Sequence, residues 1–437
     1  MRVAPLLALF YAVFIFPPEF SITISGLWLP AYRLVVIASM VIVILRLLEQ
    51  GAQRLSFTDL LITMAGLWIL VSFMSIYGVA QGIVRGAGVV FDIYGSYLLA
   101  RTSVRSFQDF RLFLLLVLPA VGFAGLIMAL ESLLGSLFYR PTFGSIFGGL
   151  SAYSGGDASG QIHFRPEVRL GLLRAYGPFS HPILGGLMLG VFLPLFYFSA
   201  IRSWPRLVGL GAGFAGVFSL SSAALMGMLL FGIGISLDFI KRRIIPTVSW
   251  WIMIFFIGLA AFAIHLASQN GLVSVLARYT LVPHTASYRL AIWEHGTESV
   301  RQNPWFGIGY EQWDRLWWMG ESVDAHFLLL AMRHGIIVPI LIIVASIYAM
   351  ARLGMLSSRL PAYDRRLVIG ANLALGIMLI AGQTVAFFGA SNLIFMSLIA
   401  IVVSLLSDAS QPMQVRAWRA RPAKAPSAPA IEGQDRN

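Results

Sequence analysis

The sequence predicts an all-α polytopic membrane protein, and three observations carry that prediction. Of 437 residues, 58% are hydrophobic and only 11% are charged, whereas a soluble domain carries about 25% charged residues. Mean hydropathy is +0.81. Apolar stretches of about 20 residues, the length of a membrane-crossing helix, recur from one end of the chain to the other. A soluble protein of this length has residues enough for a large core, but so few charges cannot cover its surface. A soluble enzyme, a disordered chain and a fibrous protein are therefore excluded. The absence of cysteine excludes disulfides, a thiolate metal site and a thiol nucleophile.

Taken in order, the spans read as 3–20, 30–48, 58–78, 84–100, 111–135, 181–200, 205–220, 221–240, 247–267, 325–351, 367–388 and 390–407, about twelve in all. The first has no small-residue cleavage site before Pro17-Pro18-Glu19-Phe20, so it reads as a retained span and not as a signal peptide. Ser219, Ser221 and Ser222 suit a tight turn between two neighbouring spans. Residues 1–407 form a single transmembrane domain on this reading. Residues 408–437, rich in Pro, Ala and Arg, read as a disordered basic cytoplasmic tail suited to anionic lipid.

The net charge is +12, which in a soluble protein would suggest nucleic acid; here position explains most of it. With the N-terminus inside, Arg46, Arg54, Arg101, Arg105, Arg111, Arg202, Arg206, the Lys241-Arg242-Arg243 run, Arg352, Arg359, Arg365 and Arg366 all fall on the cytoplasmic face. An even number of spans returns the C-terminus to that side. Two long segments, about 136–180 and 268–323, then face outward, and loops of that length are usually functional. They hold Arg140, Arg165, Arg169 and Arg174 in the first and Arg278, Arg289, Arg301 and Arg315 in the second. The positive-inside bias predicts the reverse. Arginine presents a planar fork that binds phosphate oxygens two at a time at any pH, so an outward cluster suits a diphosphate at the membrane surface. Salt bridges with Glu294, Glu298, Glu311 and Asp314, together with headgroup contact, are the competing explanation.

Residues 286–339 hold most of the remaining information. Ala286-Ser287-Tyr288-Arg289 opens a helical stretch through Trp293 and Arg301. Asn303-Pro304-Trp305-Phe306-Gly307-Ile308-Gly309 must turn, since Pro ends a helix and two glycines permit close backbone approach. No strand precedes this Gly-x-Gly and a third glycine is missing, so it is not a nucleotide fingerprint. Asp324-Ala325-His326 stands at the mouth of the tenth span. His326 and Arg333, seven apart, share one helix face, about 10 Å along its axis. Trp305, Trp313, Trp317 and Trp318 suit either stacking on acceptor sugars or an interfacial aromatic belt. Asp92 lies inside the fourth span, where pairing with an arginine is the favoured reading and a place in a lipid-diphosphate groove the other. His163, His181, His265, His284 and His295 show no metal-ligand spacing, and no metal or cofactor is expected.

Arg289-x-x-x-Trp293, then Asn303-Pro304-x-x-Gly307-x-Gly309, then a polar residue opening a span that reaches Gly335-Ile336-Ile337, resembles the shared domain of the O-antigen ligase and O-antigen polymerase superfamily. Leu173-Arg174-Ala175-Tyr176-Gly177-Pro178-Phe179-Ser180-His181-Pro182 resembles the arginine-bearing segment of that family. The resemblance covers roughly residues 170–340. It implies a C-type, metal-independent glycosyltransferase of the inner membrane, working on the periplasmic side with a polyprenyl-diphosphate sugar donor. Its partners would be an undecaprenyl-diphosphate-linked oligosaccharide, a polysaccharide acceptor, membrane lipids and a chain-length regulator, with no nucleic acid. Arg174 and Arg289 fall where such proteins place diphosphate-binding arginines, and Arg169 and Arg333 join them as candidates. Ligase-type relatives carry His-Asn where this chain has Asp324, with His326 two residues later. That departure favours a polymerase of O-antigen or exopolysaccharide over a ligase attaching glycan to lipid A core.

The chemistry can be argued without the family. Displacing a lipid diphosphate from an anomeric carbon needs fixed cations beside the leaving group and a base within reach of the attacking hydroxyl. Arg174 and Arg289 can supply the first, and Asp324 or His326 the second. A base at the membrane interface has its pKa raised by desolvation, which suits Asp to the task. The substrate phosphate itself is another possible base. Trp305, Trp313 and Trp317 are the acceptor-binding candidates. A transporter of lipid-linked oligosaccharide is the alternative of another class, but it would need charges along a path through the whole membrane, and these are gathered in two loops.

Overall fold

The computed structural model describes residues 2–24, 27–49, 55–147, 166–245 and 283–411, with single positions at 259, 263 and 267. The Gly/Ser-rich stretch at 148–160, His163, Arg165, most of the expected span at 247–267, Arg278 and the tail beyond 411 lie outside the described residues.

In chain order, α1 (Ala4–Ile15) leads through an antiparallel hairpin, β1 (Ser21–Ile24) and β2 (Leu27–Pro30), into α2 (Ala31–Leu48). Next come α3 (Phe57–Tyr77), then α4 (Val79–Val90) and α5 (Ser96–Ser103), joined by one π-helical turn at Phe91–Gly95. After α6 (Phe107–Leu134), the first long segment holds α7 (Tyr139–Phe147) and a small hairpin, β3 (Val168–Arg169) with β4 (Leu172–Leu173). Helices α8 (Pro182–Gly190), α9 (Phe192–Phe198), α10 (Trp204–Phe214) and α11 (Ser222–Arg243) follow. The second long segment contains α12 (Pro283–Gln302). The chain continues with α13 (His326–His334), α14 (Ile337–Leu356), α15 (Ala362–Ala381) and α16 (Ala390–Ala409).

Seven helical stretches among the described residues are long and apolar enough to cross a membrane. The all-α polytopic class follows, whereas the expected twelve spans do not emerge as twelve full-length helices. The first, read as 3–20, is the 12-residue α1, about 18 Å long; Pro17-Pro18 bars its continuation. The tenth, read as 325–351, divides into α13 and α14 at Gly335, whose φ is 81°. The tight turn expected near Ser219 is present: Leu220 adopts φ 46° between a 3-10 turn and α11.

Small residues set the packing. A Cβ at Gly82 would lie 2.4 Å from Met74 Cα, so α4 presses its backbone against α3. Phe10 of α1 meets Phe113 of α6 edge-on at 4.9 Å. Helix α16 is the most buried of these seven stretches, with 83% of its most apolar 18 residues inside the protein. At the end of the bundle away from the long segments, Asp59 closes the capping box of α3. The same carboxylate accepts hydrogen bonds from Tyr97 Oη at 2.6 Å and Arg101 Nε at 3.1 Å. Arg33 donates through Nε to Asp92 at 3.0 Å, the pairing favoured from the sequence.

Candidate active site

The first long segment is tied to the bundle by two buried carboxylates. Glu131, near the end of α6 and fully buried, accepts main-chain N–H groups from Tyr139 at 3.2 Å, Tyr176 at 3.0 Å and Gly177 at 2.8 Å. Both ends of the segment are thereby drawn to one point. Glu19 pairs with Arg140, itself fully buried, and Arg140 donates a further hydrogen bond to Ser180 O at 3.0 Å. Arg140 is thus held in a structural ion pair, as the salt-bridge reading of the outward arginines allows. Arg301 is another such case, paired with Glu298 on the exposed face of α12.

Between these ties stands the β3–β4 hairpin. Its two-residue turn has positive φ at Leu170 (51°) and Gly171 (79°), matching the twist of the flanking strands. The hairpin places Arg169 and Arg174 against the turn that follows α10. Arg169 Nη1 donates to Leu220 O at 3.3 Å, and Arg174 Nε donates to Ser219 O at 3.1 Å. Glu167 bridges the two guanidinium groups, at 3.2 Å from Arg169 and 2.8 Å from Arg174. Burial works against the ionised form of Glu167, but Arg174 and Arg169 outweigh it and hold the carboxyl below its usual range.

The second long segment is anchored by its motif residues. Trp293 Nε1 donates to Gln383 O at 2.9 Å, fixing α12 on the chain just beyond α15. Arg289 lies four residues earlier on the same helix face. The Asn303–Gly309 turn docks on the end of α13: Ile308 N donates to Met332 O at 2.7 Å and Gly309 N to Arg333 O at 3.1 Å. A Cβ on Gly307 would lie 2.4 Å from Met332 O, and one on Gly335 would lie 1.8 Å from Trp305 O. Only glycine fits either place. The motif is therefore a brace that joins α12 to the α13–α14 break.

The two segments meet at Arg289. The charges that act on its guanidinium are Asp324, Arg174 and Arg169, so three of the candidate arginines and the candidate aspartate share one neighbourhood. Burial disfavours the Arg289 cation, Asp324 partly offsets this, and the two other arginines repel it. Its Nε is buried with no hydrogen-bond partner among the described residues. Burial raises the Asp324 carboxyl above the ordinary aspartate value, with Arg289 opposing. The site thus has a surplus of positive charge and an unused donor, and a carboxyl group lies beside it.

Other candidates fall elsewhere. His326 is 3% exposed, its ring packed on Phe387 at 4.6 Å and near Phe395 at 5.8 Å, and its Nδ1 accepts from Phe387 N at 3.4 Å. The structure thus places this candidate base in an aromatic core, and it is not among the charges that act on Arg289. Trp313 is 7% exposed, packed with Ile292, Met319 and Leu328, and its Nε1 donates to Glu321 O. The structure thus encloses this acceptor-binding candidate in a small apolar cluster. Trp305 and Trp317 are exposed, at 61% and 95%. Arg333 lies over the ring of Tyr310, the residue after the docked turn, at 5.0 Å. Sequence reasoning overlooked Glu167 and Glu131. The first stands two residues before Arg169, hence on one strand face; the second is a lone carboxylate in the last turns of an apolar span.

These features define a helical membrane protein with a cationic, carboxylate-bearing site between two inter-helix segments. Residues 207–343 match the family model described as O-antigen ligase. Over that range the chain is similar to the O-antigen ligase family, in line with the resemblance read from the motif blocks. The Arg289–Gly309 block lies inside the matched range and the Arg174 segment outside it. No curated protein matches the chain.

Proposed function

We propose that the protein is an inner-membrane glycosyltransferase that moves glycan from a polyprenyl-diphosphate carrier to a growing polysaccharide chain on the periplasmic side. The supporting observation is the meeting of Arg169 and Arg174 from one segment with Arg289 and Asp324 from the other. Arg174 and Arg289 take the diphosphate, with the unpartnered Arg289 Nε reserved for a phosphate oxygen. Arg169 adds charge from the hairpin. As the bond from the anomeric carbon to the diphosphate oxygen breaks, the electron pair goes to the leaving group and these cations stabilise it. Asp324 takes the proton of the attacking sugar hydroxyl, and its raised pKa strengthens it as a base once ionised. Exposed Trp305 and Trp317 are the remaining acceptor-binding candidates.

A ligase reading keeps the same site and changes the acceptor to lipid A core; the matched family is described by that name. Purified protein reconstituted with lipid-linked oligosaccharide separates the readings. Elongation of the glycan without added core acceptor indicates a polymerase, and transfer only on adding core indicates a ligase. Movement of intact lipid-linked oligosaccharide across the bilayer with no new glycosidic bond would overturn both.

A further inference from the structure

His181 has no role in the chemistry so far, yet it stands beside the arginine site and its protonation is fixed by geometry. It is the N-cap of α8, where its Nδ1 accepts the main-chain N–H of Ile183 at 3.2 Å. An N–H can only donate, so Nδ1 carries a lone pair and the ring proton of the neutral form sits on Nε2. Nε2 has no hydrogen-bond partner among the described residues. The charges facing the ring are Arg174, Glu167, Arg140 and Arg169. Those are the groups around the proposed diphosphate position together with Arg140, which is itself paired with Glu19. The edge of Tyr176 covers another side, with ring centroids 6.4 Å apart.

We propose that His181 is a further substrate-binding residue, a neutral donor that presents Nε2–H to a phosphate oxygen of the lipid diphosphate. The inference rests on the proposed function. It follows from three features: a tautomer set by the cap, a donor with no protein acceptor, and a position amid cations that attract an anion. A proton on Nδ1 would break the cap and bring another cation among the arginines, so the neutral ring is the form the geometry favours. His181 does not act as a base, because its accessible nitrogen already holds the proton. It donates a hydrogen bond throughout and transfers no proton.

Two conservative variants separate this role from simple helix capping. Asparagine caps a helix well but is too short to place a donor at the Nε2 position. Glutamine is a poor cap but carries an N–H₂ close to that position. Glycan transfer by reconstituted H181N and H181Q is measured with each variant's thermal midpoint in detergent. The expected result is that H181N keeps the parental midpoint and loses about 10–100-fold in transfer rate. H181Q is expected to have a lower midpoint and a rate within a few fold of the parent. Parental transfer by folded H181N overturns the proposal, whatever H181Q does. R174A and R289A serve as reference variants: if both also transfer at the parental rate, the proposed function itself fails, whereas loss in them beside a parental H181N removes only the role of His181.

Discussion

Asp324 and His326 are two residues apart, and their surroundings differ. Asp324 shares its surroundings with Arg289, while His326 is enclosed by phenylalanines. D324N should therefore lower the transfer rate about 10²–10⁴-fold, and a His326 variant that folds should keep it. The pH profile carries a sign. Asp324 must be ionised to accept a proton, and its pKa is raised, so activity is present at neutral pH and is lost as pH falls through that raised value. The acid limb of kcat/KM should lie above the range of an ordinary aspartate. A limb at or below that range would remove Asp324 from the role. The sequence left these two residues equivalent because their difference is one of side-chain direction, set by the chain beyond α15 where Phe387 lies.

At the scale of elements, the motif spacings have structural meanings that the sequence only partly disclosed. Two glycines in Asn303–Gly309 pointed to a close backbone approach, and the partner proves to be the end of α13. Gly335 was read as lying inside one long span; its positive φ instead divides α13 from α14. Over a window of about 20 residues the apolar stretches on either side outweigh Arg333-His334, which is why counting apolar residues merges the two helices. G335A would force a Cβ onto Trp305 O, and the expected outcome is a lower thermal midpoint together with loss of transfer. W293F removes the hydrogen bond that fixes α12. It should reduce transfer about 10-fold or more through a shifted Arg289, with a smaller effect on the midpoint. A parental rate in folded W293F would show that the anchor does not position the arginine.

At the scale of the molecule, two groups stand out among the described arginines that composition could not separate. Arg33, Arg101, Arg111 and Arg140 hold helices together through Asp92, Asp59, Asp364 and Glu19. Arg169, Arg174 and Arg289 gather where the long segments meet. R140A leaves Glu19 as an uncompensated buried charge and should destabilise the fold by about 3–5 kcal/mol. The double variant E19Q/R140M should recover most of that loss, as read by thermal unfolding in detergent. The helical membrane class was legible because it depends on composition and segment length. The site was half legible: the arginine types and motif blocks stood out, but the carboxylates Glu131 and Glu167 that place them depend on contacts between distant segments.

The central claim is that Arg174, Arg289 and Asp324 act on one lipid-diphosphate donor. Its most direct test is the rate of glycan transfer from lipid-linked oligosaccharide by reconstituted R174A, R289A and D324N, each with a parental thermal midpoint. Losses of about 100-fold or more in all three are predicted. Transfer near the parental rate in any of the three would contradict the account.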